Sequence, residues 1–254
     1  SYLLHMKILV IGSKGFLGGY VVNELRNNGY SVVESIGDAR KKDVVDKNLK
    51  ECNAVINLVG IIRENKGKTF YDEHFIIAKN IVDAMKASNV KKLVHISALG
   101  VSKDKKTGYY KTKYMAEEYI VNSSLDYTIL RPSFLFGRED KSINYFMKFV
   151  KKGFFLIFGD GNYKLQPVYV GDVAKAIVSS LRNKKVSKKI IEVGGNKKYS
   201  FNELIAALAK SKDKRVIKMH VPISLVRFFA RLFGRSSFFP ITLEQLEMLI
   251  AGNT

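Results

Sequence analysis

A chain of 254 residues in which 46% are hydrophobic and 26% are charged has the composition of a folded globular protein, which excludes an intrinsically disordered chain. Its single cysteine, Cys52, excludes a disulfide within the chain and predicts a reducing compartment, the cytoplasm. The 43 Lys and Arg residues exceed the 23 Asp and Glu residues by 20, and such an excess attracts polyanions such as nucleic acid or anionic lipid. Because the basic residues are spread along the chain, we interpret the excess as a solvated, lysine-rich surface.

The apolar stretches of the sequence predict neither a membrane span nor a signal peptide. The most apolar late stretch, residues 221–241, is interrupted by arginines. The first residues lack the charged region and the small-residue cleavage site of a signal peptide. We interpret residues 1–5 as a tag remnant that precedes Met6, which agrees with the expected cytoplasmic location.

Short apolar runs alternate with helical periods over the first two-thirds of the chain. Strands are predicted at residues 7–11, 31–35, 54–59, 92–96 and 127–131, and helices at residues 16–27, 74–87 and 110–122. This alternation predicts βαβ crossovers, and hence an α/β fold with a Rossmann-type doubly wound parallel sheet.

After Gly137 the pattern becomes irregular. Helices are predicted at residues 143–151, 171–181 and 201–209, and extended segments at residues 167–170 and 188–195. We therefore predict a dinucleotide-binding domain over residues 6–165, with later core elements from 166–195, and a small C-terminal substrate lobe over residues 196–254.

Three glycines follow the first predicted strand and precede the first helix. Gly12 permits a tight turn, Gly15 lets the backbone approach a pyrophosphate, and Gly18 allows close packing of helix on strand. The helix N-terminus supplies free N–H groups, so the stretch predicts nucleotide binding, with a purely steric turn as the alternative.

The choice between NAD and NADP stays open in the sequence. An acidic residue after the second strand binds the ribose 2′-hydroxyl of NAD, and Asp38 stands near that position. Arg40 and the two lysines after it are equally placed to pair with the 2′-phosphate of NADP.

Six motifs in order resemble the short-chain dehydrogenase/reductase superfamily. They are the glycine loop, "NAVINLVGI", "VKKLVHISALG", "YYKTK", "TILRPSFLFG" and "LQPVYVGDVAKAI". Within that superfamily the chain is most similar to the atypical branch related to the NAD(P)-binding accessory subunit of respiratory complex I, which is grouped with NAD-dependent epimerase/dehydratases. The resemblance implies NAD or NADP as cofactor and covers about residues 7–195.

The resemblance also implies roles for single residues. The residues at the pyrophosphate are Gly12, Ser13, Gly15, Phe16 and Leu17, and those at the adenine are Asp43 and Val44. The residues at the ribose are Leu58, Val59, Gly60 and Lys113, and those at the nicotinamide are Ser97, Tyr109, Pro132, Ser133 and Phe134.

Tyr109 and Lys113 form a Y-x-x-x-K pair on one predicted helix. Residues four apart share a helical face, so the phenol and the ammonium can meet one cofactor. A nearby cation lowers the pKa of a phenol, which predicts a lowered pKa for Tyr109. The resemblance implies that Tyr109 transfers the proton while hydride passes to or from the nicotinamide. Chance pairing in a chain rich in Tyr and Lys is the alternative.

One catalytic position departs from the family pattern. Active members of the extended branch place a Ser or Thr well before the tyrosine to polarise the substrate carbonyl. The interval is shorter in this chain, since Ser97 lies only 12 positions before Tyr109, and the resemblance implies that Leu99 occupies the place of the catalytic hydroxyl. The departure implies weaker stabilisation of the transition state.

Other polar residues receive structural interpretations. We expect His74 at the start of a helix as an orienting, surface or capping residue, His95 as a hydrogen-bonded core residue, and Asp172 as a helix cap. The scattered histidines and the lone cysteine predict no metal site. The aromatic tail around Phe228 and Leu232 is expected to cover the lobe's own core, with a membrane or partner surface as the alternative.

Three functions follow as hypotheses. The first is an NAD(P)-dependent oxidoreductase or sugar-nucleotide epimerase/dehydratase that uses Tyr109 and Lys113 on an unidentified small-molecule substrate. The second is a non-catalytic dinucleotide-binding subunit or redox sensor, in contact with a respiratory complex or a membrane, or with a second copy of the chain. The third, RNA binding on a Rossmann scaffold, requires lysines clustered on one face, and nucleic acid is not the expected partner.

Overall fold

The computed structural model describes residues 6–234, 241–252 and 254, so the interpreted tag remnant and residues 235–240 of the tail lie outside the described residues. The helices and strands follow in this order: β1 (Lys7–Ile11), α1 (Phe16–Asn27), β2 (Ser31–Glu34), α2 (Lys42–Leu49), β3 (Ala54–Asn57), a π-helix (Tyr71–Ile76), α3 (Ile77–Lys86), β4 (Lys92–Ile96), α4 (Gly108–Val121), β5 (Asp126–Pro132), β6 (Leu135–Phe136), α5 (Lys141–Lys152), β7 (Phe154–Phe158), β8 (Lys164–Leu165), β9 (Val168–Tyr169), α6 (Val170–Ser180), a 3₁₀ helix (Lys184–Val186), β10 (Lys189–Val193), β11 (Tyr199–Ser200), α7 (Phe201–Lys210), β12 (Ile217–Val221), α8 (Ile223–Phe233) and α9 (Leu243–Ile250).

The chain divides into two compact units. The first unit comprises Ser1–Pro132 with Val170–Val193, and the second comprises Ser133–Tyr169 with Gly194–Thr254. The sequence-based boundary differs, because it assigned residues 133–165 to the first domain.

The first unit contains a sheet of six parallel strands in the order β10-β5-β4-β3-β1-β2. The connection from β2 to β3 crosses β1, so the winding direction reverses between β1 and β3, and ligands of such sheets bind at the carboxyl ends of the strands beside this reversal. The usual dinucleotide-binding order has a further strand outside the second one. In the part of the chain that the structure describes, β2 is instead the edge of this sheet. The predicted doubly wound parallel sheet is confirmed.

Apolar runs explain why these segments become strands with helices packed on them. All four residues of β3 and the last four of β1 are buried, as expected for strands covered on both faces. Ile77, Ile81 and Met85 recur at helical spacing on α3 and are buried in the same core. The predicted helix at 74–87 begins three residues earlier, as the π-helix.

The second unit has a core of its own. Its strands β7 and β12 form a parallel pair, and Phe155 of β7 contacts the rings of Phe146 on α5 and Phe201 on α7, with centroids 5.5 and 5.8 Å apart. This aromatic packing joins α5 and β7 to the late helix α7. It is the physical reason why these two elements belong with the lobe and not with the first unit.

Candidate functional site

The loop between β1 and α1 leaves a helix N-terminus available to an anion. Gly15 is the N-cap residue of α1; it makes no side-chain cap, and the first turn contains no acidic residue. First-turn amides lack acceptors within their own helix, and the helix dipole adds partial positive charge there. This end of α1 therefore fits a diphosphate.

The three glycines of the loop are needed for different reasons. A Cβ atom on Gly18 would lie 2.3 Å from the carbonyl oxygens of Gly12 and Ser13. Gly12 has a φ of +90°, and a Cβ atom there would lie 3.2 Å from the backbone after β3. A Cβ atom on the exposed Gly15 would meet only the Gly12 oxygen, at 3.3 Å. Packing requires Gly12 and Gly18, whereas Gly15 keeps the backbone accessible to a ligand.

The remaining residues of the predicted pyrophosphate segment lie in or beside the same turn. Ser13 and Leu17 are buried, and Phe16 is half-buried with its ring against the edge of Tyr20, at 5.9 Å between centroids. Their contact with a pyrophosphate stays a prediction.

The residues predicted to select NAD or NADP are paired with each other. Arg40 donates from Nε and Nη2 to the Asp38 carboxylate over 2.8 and 2.7 Å. This contact lowers the pKa of Asp38 and raises that of Arg40. The guanidinium also lies 4.0 Å from the carboxylate of Glu73. Groups for a 2′-hydroxyl and for a 2′-phosphate are thus both present, and the choice stays open.

The two residues predicted at the adenine lie at the start of α2. Asp43 is exposed, and its carboxylate is 3.8 Å from the ammonium of Lys47. Val44 is half-buried beside Gly37. Their adenine contact stays a prediction.

The loop after β3, which contains Leu58, Val59 and Gly60, is fixed in two ways. The Leu58 N–H donates to the Ile11 carbonyl over 2.9 Å, and the Val59 N–H donates to Asn57 Oδ1 over 3.1 Å. Asn57 Nδ2 lies 3.0 Å from His95 Nδ1, so His95 is the hydrogen-bonded core residue that was predicted. The sequence interpretation missed Asn57, although an amide at the end of an apolar strand was an available signal.

Lys113 projects from α4 toward this loop and is buried. Its ammonium donates to the Ile96 carbonyl over 3.3 Å, and a Cβ atom on Gly60 would lie 3.1 Å from Nζ. Burial lowers the pKa of Lys113 to about 8, while the nearby Glu117 opposes the shift. An ammonium beside an open glycine backbone can donate to ribose hydroxyls, as the prediction requires.

Tyr109 does not have the lowered pKa that was predicted for it. The Lys113 ammonium lies 5.9 Å from the centroid of the Tyr109 ring. Burial among the rings of Phe70, His74 and Tyr110 raises the pKa of Tyr109 above its usual value. The prediction was wrong because sequence spacing reveals the cation but not the desolvation, which disfavours the phenolate.

His74 is a buried residue of the π-helix, so the surface or capping interpretation was wrong. Its Nδ1 lies 2.9 Å from the hydroxyl of Thr112, and its Nε2 accepts from the Ile61 N–H over 3.2 Å. Burial, aided by the charge of Lys113, lowers the pKa of His74 to about 2, so the imidazole is neutral. It therefore links the loop after β3 to α4, in keeping with the orienting role. Thr112, inside "YYKTK", was missed.

The resemblance implies a catalytic hydroxyl near Ser97 and Leu99. Ser97 ends up just beyond β4 with its Oγ buried and, among the described residues, without a hydrogen-bond partner. Leu99 is buried too, and its N–H donates to the Pro132 carbonyl over 2.9 Å. The apolar side chain of Leu99 offers no donor to a substrate carbonyl.

The last three residues predicted to contact the nicotinamide do not all lie in the same unit. Pro132 ends β5 in the first unit, whereas Ser133 and Phe134 belong to the second. There Ser133 Oγ donates to the Gln166 carbonyl, and the Phe134 carbonyl accepts from the Val168 N–H over 2.9 Å. Their contact with a nicotinamide stays a prediction.

Asp172 is not the cap of α6. That helix begins at Val170, so Asp172 lies in its first turn, where the carboxylate still interacts favourably with the helix dipole. Among the described residues, no group of three or more His, Cys, Asp or Glu side chains has an arrangement that could hold a metal ion.

The parallel sheet with its glycine loop defines a Rossmann-type dinucleotide-binding protein. A family model described as NAD(P)H-binding matches residues 22–184, and the chain belongs to this NAD(P)H-binding family.

Known proteins with two different roles are similar to the chain. The mitochondrial NADH dehydrogenase [ubiquinone] 1 alpha subcomplex subunit 9 of Rattus norvegicus is 30% identical, and the match covers 92% of this chain and 68% of the rat protein. The N-acetyl-alpha-D-glucosaminyl-diphospho-ditrans,octacis-undecaprenol 4-epimerase of Escherichia coli O157:H7 is 25% identical, over 86% of this chain and 76% of that enzyme.

A solved structure has the same fold. The crystal structure of a nucleoside-diphosphate-sugar epimerase from Staphylococcus aureus superposes with a TM-score of 0.78 at 19% identity, covering 97% of this chain and 90% of that one. The predicted relationship to the complex I subunit and to epimerases, and the predicted NAD(P) cofactor, are confirmed by these matches and by the family model.

Proposed function

We propose that the protein is a dinucleotide-binding subunit or redox sensor that holds NAD(P) without turning over a substrate. The observation that carries the proposal is Leu99, a buried apolar residue at the position where the family resemblance implies a hydroxyl in active members. Loss of one such donor removes a factor of about 10²–10³ in kcat from comparable enzymes.

The first unit has groups that suit the diphosphate and the ribose of a dinucleotide. The amides at the start of α1 would bind the diphosphate, Gly15 would admit it, and the Lys113 ammonium would donate to the ribose hydroxyls beside Gly60. NAD(P), when bound, supplies hydride chemistry at its nicotinamide ring.

The chemical half of the site is poorly suited to catalysis. A general base must be deprotonated near neutral pH, and the raised pKa of Tyr109 keeps its phenol protonated. The Lys113 ammonium, 5.9 Å from the centroid of the Tyr109 ring, does not offset the burial that raises this pKa. The protonated phenol supports binding without turnover.

The rat relative supports a partner of a particular kind. It is named as a subunit of NADH dehydrogenase, and the match spans 92% of this chain. We therefore extend the proposal to assembly with a membrane-bound NADH dehydrogenase, in which the dinucleotide stabilises the subunit. Affinity purification of the tagged protein from its own cells tests this assembly, and recovery without NADH dehydrogenase subunits would contradict it.

An oxidoreductase or sugar-nucleotide epimerase is the second candidate. Tyr109 and Lys113 favour it, because they lie on one face of α4 and are both buried beside the loop after β3. On this alternative, a protonated Tyr109 donates a proton to a carbonyl during its reduction.

One measurement tests the dinucleotide binding that both candidates share, and a second separates them. Isothermal titration with NAD⁺, NADH, NADP⁺ and NADPH should give saturable binding for both candidates. Incubation of the loaded protein with UDP-glucose and UDP-N-acetylglucosamine, followed by chromatography of the sugars, should give no product. Turnover that Tyr109→Phe abolishes, with dinucleotide affinity retained, would establish the enzyme instead.

A further inference from the structure

Helix α8 exposes large apolar side chains along one stripe. Phe228 and Leu232 are 56% and 59% exposed, and they lie four residues apart on the same face. The stripe, called the α8 stripe below, comprises Leu225, Phe228, Phe229, Leu232 and Phe233, all of them exposed. The expectation that this tail covers the lobe's own core is therefore wrong for these residues.

The opposite face of α8 explains why the stripe points outward. The buried residues of this helix are the smaller Val226 and Ala230. Arg227 is held by Glu247 of α9, with Nε and Nη2 donating to the two carboxylate oxygens over 2.7 and 3.0 Å. These contacts fix the rotation of α8 within the second unit.

A second apolar face lies on the β7–β12 pair of the same unit. Ile217 pairs with Phe154, and Met219 pairs with Leu156, so these four side chains point to one side of the two strands. All four are exposed. The inward residues of β7, Phe155 and Ile157, are buried in the core.

The chain around these faces is strongly basic. Residues 210–234 contain seven Lys and Arg residues and one acidic residue, Asp213. Lys212, Lys214, Arg215 and Arg231 are exposed, whereas Arg227 is neutralised by its ion pair with Glu247. Exposed aromatic and aliphatic groups together with unneutralised cations are the composition of a helix that lies in the interface of an anionic bilayer.

We propose that the second unit docks onto an anionic lipid surface through the α8 stripe. Among the described helices, none has the length and apolar character needed to cross a membrane, so this contact lies at the surface. The apolar side chains enter the boundary between headgroups and acyl chains, and the exposed cations of residues 210–234 attract the lipid phosphates. The proposal is independent of the proposed role of NAD(P), because it concerns only residues of the second unit.

Vesicle sedimentation tests the proposal on the full chain. The protein should sediment with phosphatidylcholine vesicles that contain phosphatidylglycerol, and only weakly with phosphatidylcholine alone. Phe228→Ser with Leu232→Ser should weaken binding at least about tenfold, because both lost side chains are apolar anchors. Lys214→Gln or Arg231→Gln should each weaken it about fivefold, and about 0.5 M NaCl should suppress it.

The matched control removes exposed apolar groups from another helix. Met115→Ser with Val121→Ser changes two exposed residues of α4 and should leave vesicle binding unchanged. Circular dichroism and thermal unfolding establish that each variant is folded.

A fluorescence probe tests the site without destabilising it. The chain contains no tryptophan, so Leu232→Trp introduces a single reporter. Its emission should shift to shorter wavelength with anionic vesicles and be quenched by brominated acyl chains, whereas Val121→Trp should show neither effect.

Three outcomes would overturn the proposal. The first is no binding to anionic vesicles, and the second is equal binding of the wild type and the Phe228→Ser, Leu232→Ser variant. The third is a dimer in light scattering that this variant dissociates while neither protein binds vesicles, which would assign the stripe to a second copy of the chain.

Discussion

Nδ1 of His74 and Oγ1 of Thr112 lie 2.9 Å apart and join the π-helix to the helix that carries Tyr109 and Lys113. The other ring nitrogen contacts the backbone of Ile61, in the loop after β3. A neutral imidazole that uses both nitrogens therefore sets the distance between the two parts of the candidate site.

Breaking this contact should reveal an energetic coupling. His74→Ala leaves a cavity and unpaired polar groups, so we expect a loss of about 3 kcal/mol in the free energy of unfolding. Thr112→Val should cost about 1–2 kcal/mol. Urea unfolding of the single and double variants should give a coupling of about 1 kcal/mol, and strictly additive losses would contradict a direct bond.

The neutral histidines predict a stability that falls in mild acid. Burial lowers the pKa of His74 to about 2 and that of His95 to about 3, against 6.5 for an ordinary histidine. Below pH ~6.5 the unfolded chain binds protons that the folded chain does not, so stability rises with pH there. Each group adds up to about 1.4 kcal/mol per pH unit.

A substitution of His74 measures how much this one imidazole contributes to the pH dependence of the free energy of unfolding. His74→Gln should reduce the slope of the unfolding free energy between pH ~5 and ~6.5 by about half, measured by urea unfolding at several pH values. A wild-type slope in the His74 variant would mean that His74 is not buried as a neutral ring.

Adjacent glycines of α1 provide a matched pair of variants. Gly18→Ala would place Cβ 2.3 Å from two carbonyl oxygens, so it should cost about 2–4 kcal/mol and abolish NAD(P) binding. Gly19→Ala meets nothing within 4 Å and should stabilise the helix by about 0.5–1 kcal/mol with binding retained. Thermal unfolding and NAD⁺ titration measure both effects. Equal behaviour of the two variants would argue against the tight turn.

The strands of the first unit could be predicted because short apolar runs in the sequence are enough to identify them. The runs that became β1 and β4 are largely apolar, and their predicted bounds match the structure. Helix α2 was missed because Lys42–Leu49 buries only Val45 and Leu49 and, apart from Val44, is otherwise polar. Both strands of the β7–β12 pair were also missed, and their pairing across some sixty residues leaves no local sign.

The sequence predicted the motifs of the candidate site but not the pKa shifts of its residues. Spacing identified the Y-x-x-x-K pair, yet the direction of the Tyr109 pKa depends on rings from another helix that surround the phenol. Likewise, the burial of His74 depends on α4 packing against the π-helix. These are tertiary effects, and a single sequence gives no measure of desolvation.

We expect Lys113 to lower the free energy of unfolding while it contributes to NAD(P) binding. Burial lowers its pKa to about 8 in the folded state, against 10.5 for an ordinary lysine. The unfolded chain therefore holds the proton more tightly, and at neutral pH the buried ammonium costs up to about 3 kcal/mol. Because only the unfolded state stays protonated between pH 8 and 10.5, stability should rise with pH across that window.

Lys113→Met tests this relation, because it retains the length of the side chain and removes the charge. We expect a gain of about 1–3 kcal/mol at pH ~7 that shrinks toward zero near pH ~10, with NAD(P) affinity reduced about tenfold or more. Lys111→Met, at an exposed position of the same helix, should change neither quantity. Unfolding curves at several pH values and NAD⁺ titration measure the two effects. A Lys113→Met protein that is less stable at every pH would show that the ammonium is paired well enough to offset its burial.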